Sequence, residues 1–159
     1  MSIEEKVVLQ QGDPAPAFAL KDETGKTWSS DDLRGKRVVL FFYPVDDTPG
    51  CTRESCDFRD SYEEFDRAGY VVLGVSPQDE SSHAAFKAKY SLNFPLLVDG
   101  DGDVAQRYGA AGSFGDYKGI PLSVQRATFV IDEDGNIAEV EYAVRSKGHV
   151  ERLRATLGI

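Results

Sequence analysis

Residues 38–56 read VVLFFYPVDDTPGCTRESC, and this stretch decides the fold. Its first six residues are an unbroken apolar run that stops at a proline, which is typical of a strand buried on both faces of a sheet. After a short loop, Thr48 is expected as the N-cap of a helix and Pro49 as its first residue. This helix is predicted to run to about Ala68, with Gly69 as its left-handed cap. A buried strand therefore leads into a helix that carries a cysteine, Cys51, in its first turn.

Strands and helices alternate along the rest of the chain. Residues 71–75 form a second predicted buried strand and residues 94–98 a third, with an amphipathic helix over 79–90 between them. The remaining predicted elements are a short hairpin at 18–28, a helix start at 29–33, a short helix over 101–108, a second hairpin with strands 127–131 and 137–142, and a closing helix over 150–157. This order predicts one α/β domain, residues 1–159, with a thioredoxin-like fold in which helices flank a central mixed β-sheet. Ligands of such sheets bind beyond the carboxyl ends of the strands, where the loop 44–50 follows the first buried strand.

Composition and charge exclude several classes of protein. The chain has 159 residues, 41% of them hydrophobic, and 27 acidic against 18 basic residues give a net charge of −9. A general nucleic-acid binder needs the opposite sign, because phosphates must be neutralised. The sequence contains no run of about 18 apolar residues, so no membrane span is expected. The charged N-terminus lacks the apolar core of a signal peptide. We therefore expect a cytoplasmic protein with reduced thiols and neither a nucleic acid nor a membrane as partner.

Cys51 is expected where a thiol becomes reactive. The N–H groups of the first helical turn have no partner within the helix, and together with the helix dipole they favour an anion. The thiolate, which is the reactive form of cysteine, is therefore favoured at this position. On a helical wheel, Phe58 and Phe65 lie within about 40° of Cys51, so the sulfur should sit in a narrow pocket on the sheet-facing side. The alternative reading, which composition alone favours, is a small buried cysteine without chemistry.

The second cysteine, Cys56, falls on a polar stripe of the same predicted helix, about 140° around the axis from Cys51. Residues five apart in an intact α-helix have Cα atoms about 8.7 Å apart, whereas a disulfide tolerates at most about 7 Å. If the two cysteines react with each other, the helix cannot stay intact. We therefore hypothesise that its first turns unwind when Cys51 is oxidised and Cys56 attacks it.

The residues around Cys51 resemble a known family. Proline, threonine and cysteine at positions 44, 48 and 51 are similar to the active-site motif of the peroxiredoxins. Residues 48–60, TPGCTRESCDFRD, resemble the bacterioferritin comigratory, or Q-type, subfamily. Residues 126–132, RATFVID, are similar to the family's later strand, which bears an active-site arginine. The resemblance covers nearly the whole chain and implies a thiol peroxidase that reduces hydrogen peroxide and organic hydroperoxides.

The resemblance also implies roles for individual residues. Cys51 attacks the terminal peroxide oxygen and becomes a sulfenic acid. Thr48 hydrogen-bonds the peroxide, and Arg126 holds the thiolate and stabilises the charge that moves onto oxygen. Pro44 shields the sulfur from water, and Glu54 orients Arg126 from behind.

Completion of the cycle is implied in the same way. Cys56 condenses with the sulfenic acid to form an intramolecular disulfide, which thioredoxin or a glutaredoxin-like dithiol protein reduces by exchange. The resemblance implies no metal and no organic cofactor, and it implies a monomer.

Other readings of the two cysteines are open at this point. With His83 and His149 they make four possible zinc ligands, but structural zinc sites favour closely paired spacings, so the histidines are expected on the surface. A protein disulfide reductase uses cysteines separated by two residues, whereas here four intervene. A redox sensor or a redox-switched chaperone would use the same pair to gate a binding surface.

Overall fold

The computed structural model describes residues 7–159, so most of the N-terminal stretch on which the signal-peptide expectation rests lies outside the described residues. The elements are β1 (Ala19–Lys21), β2 (Thr27–Ser29), β3 (Arg37–Phe42), α1 (Pro49–Asp60), α2 (Tyr62–Arg67), β4 (Tyr70–Ser76), α3 (Glu80–Tyr90), β5 (Leu96–Val98), α4 (Asp103–Arg107), β6 (Asp116–Tyr117), β7 (Ile120–Pro121), β8 (Ala127–Ile131), β9 (Ile137–Glu141) and α5 (His149–Leu157). Within residues 7–159, no helix is both long and apolar enough to cross a membrane.

The main sheet has five strands in the order β5-β4-β3-β8-β9. β3 pairs in parallel with β4, and β4 with β5, whereas β8 runs antiparallel to both β3 and β9. Helices connect the parallel strands, because parallel neighbours need a crossover connection. The prediction of a thioredoxin-like α/β fold with a mixed sheet is confirmed.

The central strand β3 is buried on both faces, as its sequence predicts. Val38, Leu40 and Phe42 belong to one apolar cluster, whereas Val39 and Phe41 belong to a second cluster. Because side chains alternate along a strand, these two clusters lie on opposite faces of the sheet. Buried side chains of α1, α2, α3 and α5 complete the second cluster, and α4 with the β1–β2 hairpin covers the first. Ligands of such sheets bind beyond the carboxyl ends of the strands, so a binding site is expected at the carboxyl end of β3.

The helix after β3 is interrupted, which the sequence did not predict. α1 ends before Ser61 and α2 begins after it, because Ser61 leaves the helical conformation with φ −103° and ψ 5°. Serine is a weak helix former, since its hydroxyl competes for local backbone groups. Phe58 and Phe65 lie on either side of this break and still pack in the same cluster, as the helical wheel predicts. Gly69 ends the segment with the predicted positive φ, 86°.

The helix start predicted at residues 29–33 is wrong, because Ser29 ends β2 and the residues after it form turns. Ser30 Oγ accepts a hydrogen bond from Phe18 N at 3.1 Å, and Ser29 Oγ accepts one from Asp32 N at 3.2 Å. Such local bonds between side chain and backbone compete with a helix.

Candidate active site

Cys51 lies in the first turn of α1, directly after the loop that leaves the carboxyl end of β3. Its side chain is fully buried and belongs to the same apolar cluster as Phe58 and Phe65. The wheel prediction, that the sulfur points toward the sheet, therefore agrees with the structure. The two cysteines do not form a disulfide, and α1 is a continuous helix across them.

Thr48 occupies the N-cap position of α1, as predicted, but its side chain does not cap the helix. Its hydroxyl instead donates to the carbonyl of Val45 at 2.9 Å. A hydroxyl has one proton to donate, so Thr48 Oγ1 keeps its lone pairs free to accept another hydrogen bond. The N–H groups at the start of α1 also remain uncapped by this side chain, which keeps them available to an anion.

Arg126 directly precedes β8, and the sheet register brings it to Cys51. Ala127 pairs with Phe42 at the end of β3, so the residue before Ala127 emerges beside the loop to α1. The guanidinium Nη2 donates to Cys51 Sγ at 3.3 Å, and its side chain is 14% exposed. Burial lowers the pKa of Arg126, but the nearby Glu54 and Cys51 outweigh this effect and hold the pKa above its ordinary value. A permanent cation therefore faces the sulfur at hydrogen-bond distance.

Glu54 lies one helical turn after Cys51 and is fully buried. Its Oε1 accepts from Arg126 Nη1 at 2.9 Å, so a single guanidinium bridges the carboxylate and the sulfur. Burial raises the pKa of Glu54 to about 7, although the charge and hydrogen bond of Arg126 act in the opposite direction. Its Oε2 has no hydrogen-bond partner among the described residues. The carboxylate thus exchanges its proton near neutral pH, beside the cation that contacts Cys51.

The side chains of Arg126 and Ser146 pack closely against Gly50, between Thr48 and Cys51. A Cβ at Gly50 would lie 3.0 Å from Arg126 Nη2 and 3.2 Å from Ser146 Oγ. Both contacts are closer than ordinary van der Waals distances, so the two side chains would have to shift by a few tenths of an ångström. Gly50 therefore allows Arg126 to reach the sulfur.

His149 is not on the surface, and that prediction is wrong. It begins α5, is only 2% exposed, and its Nε2 lies 2.9 Å from Thr128 Oγ1 and 3.8 Å from Glu54 Oε2. Burial, together with the charges of Arg152 and Arg126, lowers the pKa of His149 to about 4, so the ring is neutral at pH 7. Its Nδ1 lies 3.1 Å from Glu141 Oε2, without the alignment of a hydrogen bond.

His83 is also fully buried, contrary to the surface position predicted for it. Its Nδ1 lies 2.6 Å from Asp46 Oδ2 and its Nε2 lies 2.9 Å from the carbonyl of Leu97. The sequence carried a signal for this burial, since His83 lies three residues before the core residue Phe86 on the same helix face. Among residues 7–159, no cluster of three or more histidine, cysteine, aspartate or glutamate side chains is arranged to hold a metal ion.

Cys56 and Pro44 complete the set of predicted site residues, and neither touches Arg126 in the way that Cys51 does. Cys56 is half-buried, between the exposed position that the polar stripe predicts and the core. Burial raises the pKa of its thiol, with Asp60 and Asp57 acting in the same direction and Arg59 against it. Pro44 follows β3 and is half-buried, and its carbonyl accepts a hydrogen bond from Gln78 Nε2 at 3.0 Å.

Residues 11–140 of the chain match the AhpC/TSA family. The chain is 41% identical over 151 residues to the peroxiredoxin Bcp of Bacillus subtilis, a match that covers 95% of this chain and 96% of that protein. The structure of the peroxidoxin BcpB of Mycobacterium tuberculosis aligns with a TM-score of 0.82 at 35% identity, over 94% of this chain and 97% of the other. The bacterioferritin comigratory protein of Xanthomonas campestris aligns with a TM-score of 0.81 at 33% identity, over 89% and 90% of the two chains.

Proposed function

Because this chain belongs to the AhpC/TSA family of peroxiredoxins, in its Bcp or Q-type branch, we propose that it reduces peroxides with Cys51 as the attacking sulfur. Peroxiredoxins are thiol-dependent peroxidases. The observation that carries the assignment to Cys51 is the 3.3 Å contact between its Sγ and Arg126 Nη2 at the start of α1. Hydrogen peroxide and organic hydroperoxides are the proposed substrates. The bacterioferritin comigratory protein of Xanthomonas campestris has an alkyl peroxide reduction activity, which supports the second class.

In the proposed first step, the Cys51 thiolate attacks the terminal oxygen of the peroxide. The S–O bond forms as the O–O bond breaks, so the sulfur is oxidised by two electrons to a sulfenic acid and the leaving oxygen takes a proton to become water or alcohol. Arg126 stabilises the negative charge as it moves from sulfur to oxygen. Thr48 accepts a hydrogen bond from the peroxide, because its own proton is already donated to Val45. Pro44 limits access of water to the sulfur.

Glu54 has a positioning role in this proposal. It holds the second arm of the Arg126 guanidinium at 2.9 Å, which leaves Nη2 directed at Cys51. Because Glu54 already holds Nη1, the guanidinium loses little rotational freedom when Nη2 interacts with the reacting atoms.

In the proposed second step, the Cys56 thiol attacks the sulfenic sulfur, which releases water and forms a Cys51–Cys56 disulfide. Both residues belong to the same continuous helix, so the geometry of an α-helix keeps them too far apart for a disulfide. The residues between them must leave the helical conformation for the bond to form. Thioredoxin or a glutaredoxin-like dithiol then restores the two thiols by exchange.

The raised pKa of Cys56 fits this division of labour. A thiol that stays protonated reacts slowly with peroxide, so peroxide reaches Cys51 first. Cys56 gains access to the sulfenic sulfur only after the helix opens. We propose on this basis that the two cysteines act in a fixed order.

The experiment is a peroxide-consumption assay with thioredoxin, thioredoxin reductase and NADPH. We expect turnover by the wild-type protein and none by Cys51→Ser. Cys56→Ser should still consume about one equivalent of peroxide and accumulate a sulfenic acid that dimedone traps. A Cys51→Ser protein that turns over like the wild type would refute the assignment. A wild-type protein that oxidises but does not turn over would favour the redox sensor or redox-switched chaperone.

A further inference from the structure

The loops that follow β3 and β4 meet at one edge of the sheet. The two strands are parallel and paired as far as Phe42 and Val75, and Tyr43 N continues the ladder by donating to Val75 O at 3.1 Å. The next residues of β3 lead to Cys51, and the next residues of β4 lead to Gln78. Parallel strands thus bring Gln78 beside the loop of the candidate site, although the two are far apart in sequence.

The side-chain amide of Gln78 makes hydrogen bonds on both of its sides. Its Oε1 accepts from Asp46 N at 2.9 Å and from Ser76 Oγ, and its Nε2 donates to Pro44 O at 3.0 Å. The carbonyl of Pro44 can only accept and the amide of Asp46 can only donate, so one orientation of the glutamine satisfies both. Gln78 therefore binds the loop backbone on either side of Val45.

The hydrogen bond from Asp46 N to Gln78 Oε1 fixes the orientation of a whole peptide group. The N–H of Asp46 and the C=O of Val45 belong to the same peptide group, which is planar and rigid. Gln78 holds the N–H side of this plane, and Thr48 Oγ1 donates to its C=O side at 2.9 Å. The direction of the Val45 carbonyl therefore decides where the proton of Thr48 points, and with it where the lone pairs of Thr48 Oγ1 are directed.

The carboxylate of Asp46 anchors the same residue from the other side. It accepts from Tyr43 Oη at 2.6 Å and from Ser82 Oγ at 2.8 Å, and its Oδ2 lies 2.6 Å from His83 Nδ1. His83 Nε2 faces a backbone carbonyl that can only accept, so Nε2 carries a proton. These three contacts to a buried carboxylate hold Asp46 in place.

We propose that Gln78 is a positioning residue for peroxide reduction, which holds the Val45–Asp46 peptide plane so that Thr48 Oγ1 presents its lone pairs to the peroxide. This inference rests on the proposed function, because it assumes that Thr48 binds the substrate. Gln78 touches neither Cys51 nor the peroxide in this scheme. It acts through one peptide group, and the Asp46–His83 pair keeps that peptide group from moving away.

The test is a double-mutant cycle on the single-turnover rate with hydrogen peroxide, measured by competition with horseradish peroxidase. Gln78→Met keeps the length of the side chain and removes its amide, and Thr48→Val removes the hydroxyl. Each should slow the reaction by about tenfold or more. The double variant should be no slower than Thr48→Val alone, because both substitutions remove the same interaction. Gln11→Ala, which removes the exposed bond to Ala138 O at 2.9 Å, is the matched control and should react like the wild type.

Alkylation by iodoacetamide separates positioning from a general effect on the sulfur. This reagent needs the Cys51 thiolate but donates no hydrogen bond to Thr48, so Gln78→Met should be alkylated within about twofold of the wild-type rate. Thermal melting shows whether each variant is folded, and Gln78→Leu repeats the test if the methionine variant melts early.

Several outcomes would overturn the inference. The first is a wild-type peroxide rate in Gln78→Met. The second is a double variant slower than Thr48→Val by the full factor that Gln78→Met shows alone. The third is an equal loss in the peroxide and iodoacetamide rates of Gln78→Met. Failure of the proposed function gives a different result, because the wild-type protein itself would then show no fast reaction with peroxide.

Discussion

Replacement of Glu54 by glutamine should change how the stability of the protein depends on pH. Glu54 is fully buried, and burial raises its pKa from 4.5 to about 7 despite the contact with Arg126. Between these two values the carboxyl group is protonated in the folded protein and ionised in the unfolded chain. The folded state therefore binds more protons there, and its stability falls as the pH rises through this range.

The size of the effect follows from the two pKa values. At pH 5 the native carboxyl is almost fully protonated, and at pH 8 it is almost fully ionised. Linkage between these limits removes about 2 to 3 kcal/mol from the free energy of unfolding between pH 5 and pH 8. Glutamine has nearly the same shape and no proton to exchange, so the variant should lack this decline whatever its stability at any one pH.

Urea unfolding at pH 5, 6, 7 and 8 measures this dependence. Cys51→Ser is the parent protein, because it removes the thiol that also contacts Arg126, and Cys51→Ser/Glu54→Gln is compared with it. A glutamine at the exposed Glu151 corrects for the loss of one acidic group. If the parent and the Glu54→Gln protein lose the same free energy of unfolding between pH 5 and pH 8, the raised pKa of Glu54 is refuted.

Three further predictions concern the same region. Because the pKa of His149 is lowered to about 4, the free energy of unfolding of the wild-type protein should fall by about 2 kcal/mol between pH 7 and pH 5. Urea unfolding of His149→Gln should not show this loss, and an equal loss in the variant would contradict the prediction. In Gly50→Ala, the new Cβ 3.0 Å from Arg126 Nη2 should slow the single-turnover peroxide rate by about tenfold, whereas a wild-type rate would mean that Arg126 adapts. Amide hydrogen exchange across residues 49–60 should be faster in the disulfide form than in the dithiol form, because the helix must open for the disulfide; equal protection would contradict the unwinding hypothesis.

Local patterns in the sequence predicted most of the architecture. An apolar run indicates a buried strand, and the period of Phe58 and Phe65 indicates the face that α1 and α2 turn to the sheet. The position of Cys51 at a helix start follows from the same reasoning. These features depend on residues within a few positions of each other, so periodicity and capping preferences suffice. Ser61 shows the limit, since a single weak helix former interrupted the predicted helix.

The partners of Cys51 could not be found from local patterns. Arg126 is 75 residues away, and without the family resemblance it was only a charged residue before a strand. Both histidines were placed on the surface, and the bond of Gln78 to Asp46 was not anticipated, because each depends on which strands become neighbours.

The sequence by itself therefore determined the strand, the helix and the place of Cys51 in the first turn of that helix, all of which are local properties of the chain. The tertiary structure decided what surrounds that sulfur. The antiparallel pairing of β8 with β3 delivers Arg126 to Cys51, and the parallel pairing of β4 with β3 delivers Gln78 to the loop before it. The physical reason is that strand pairing is a long-range choice, made by burial of the whole sheet and not by any short segment.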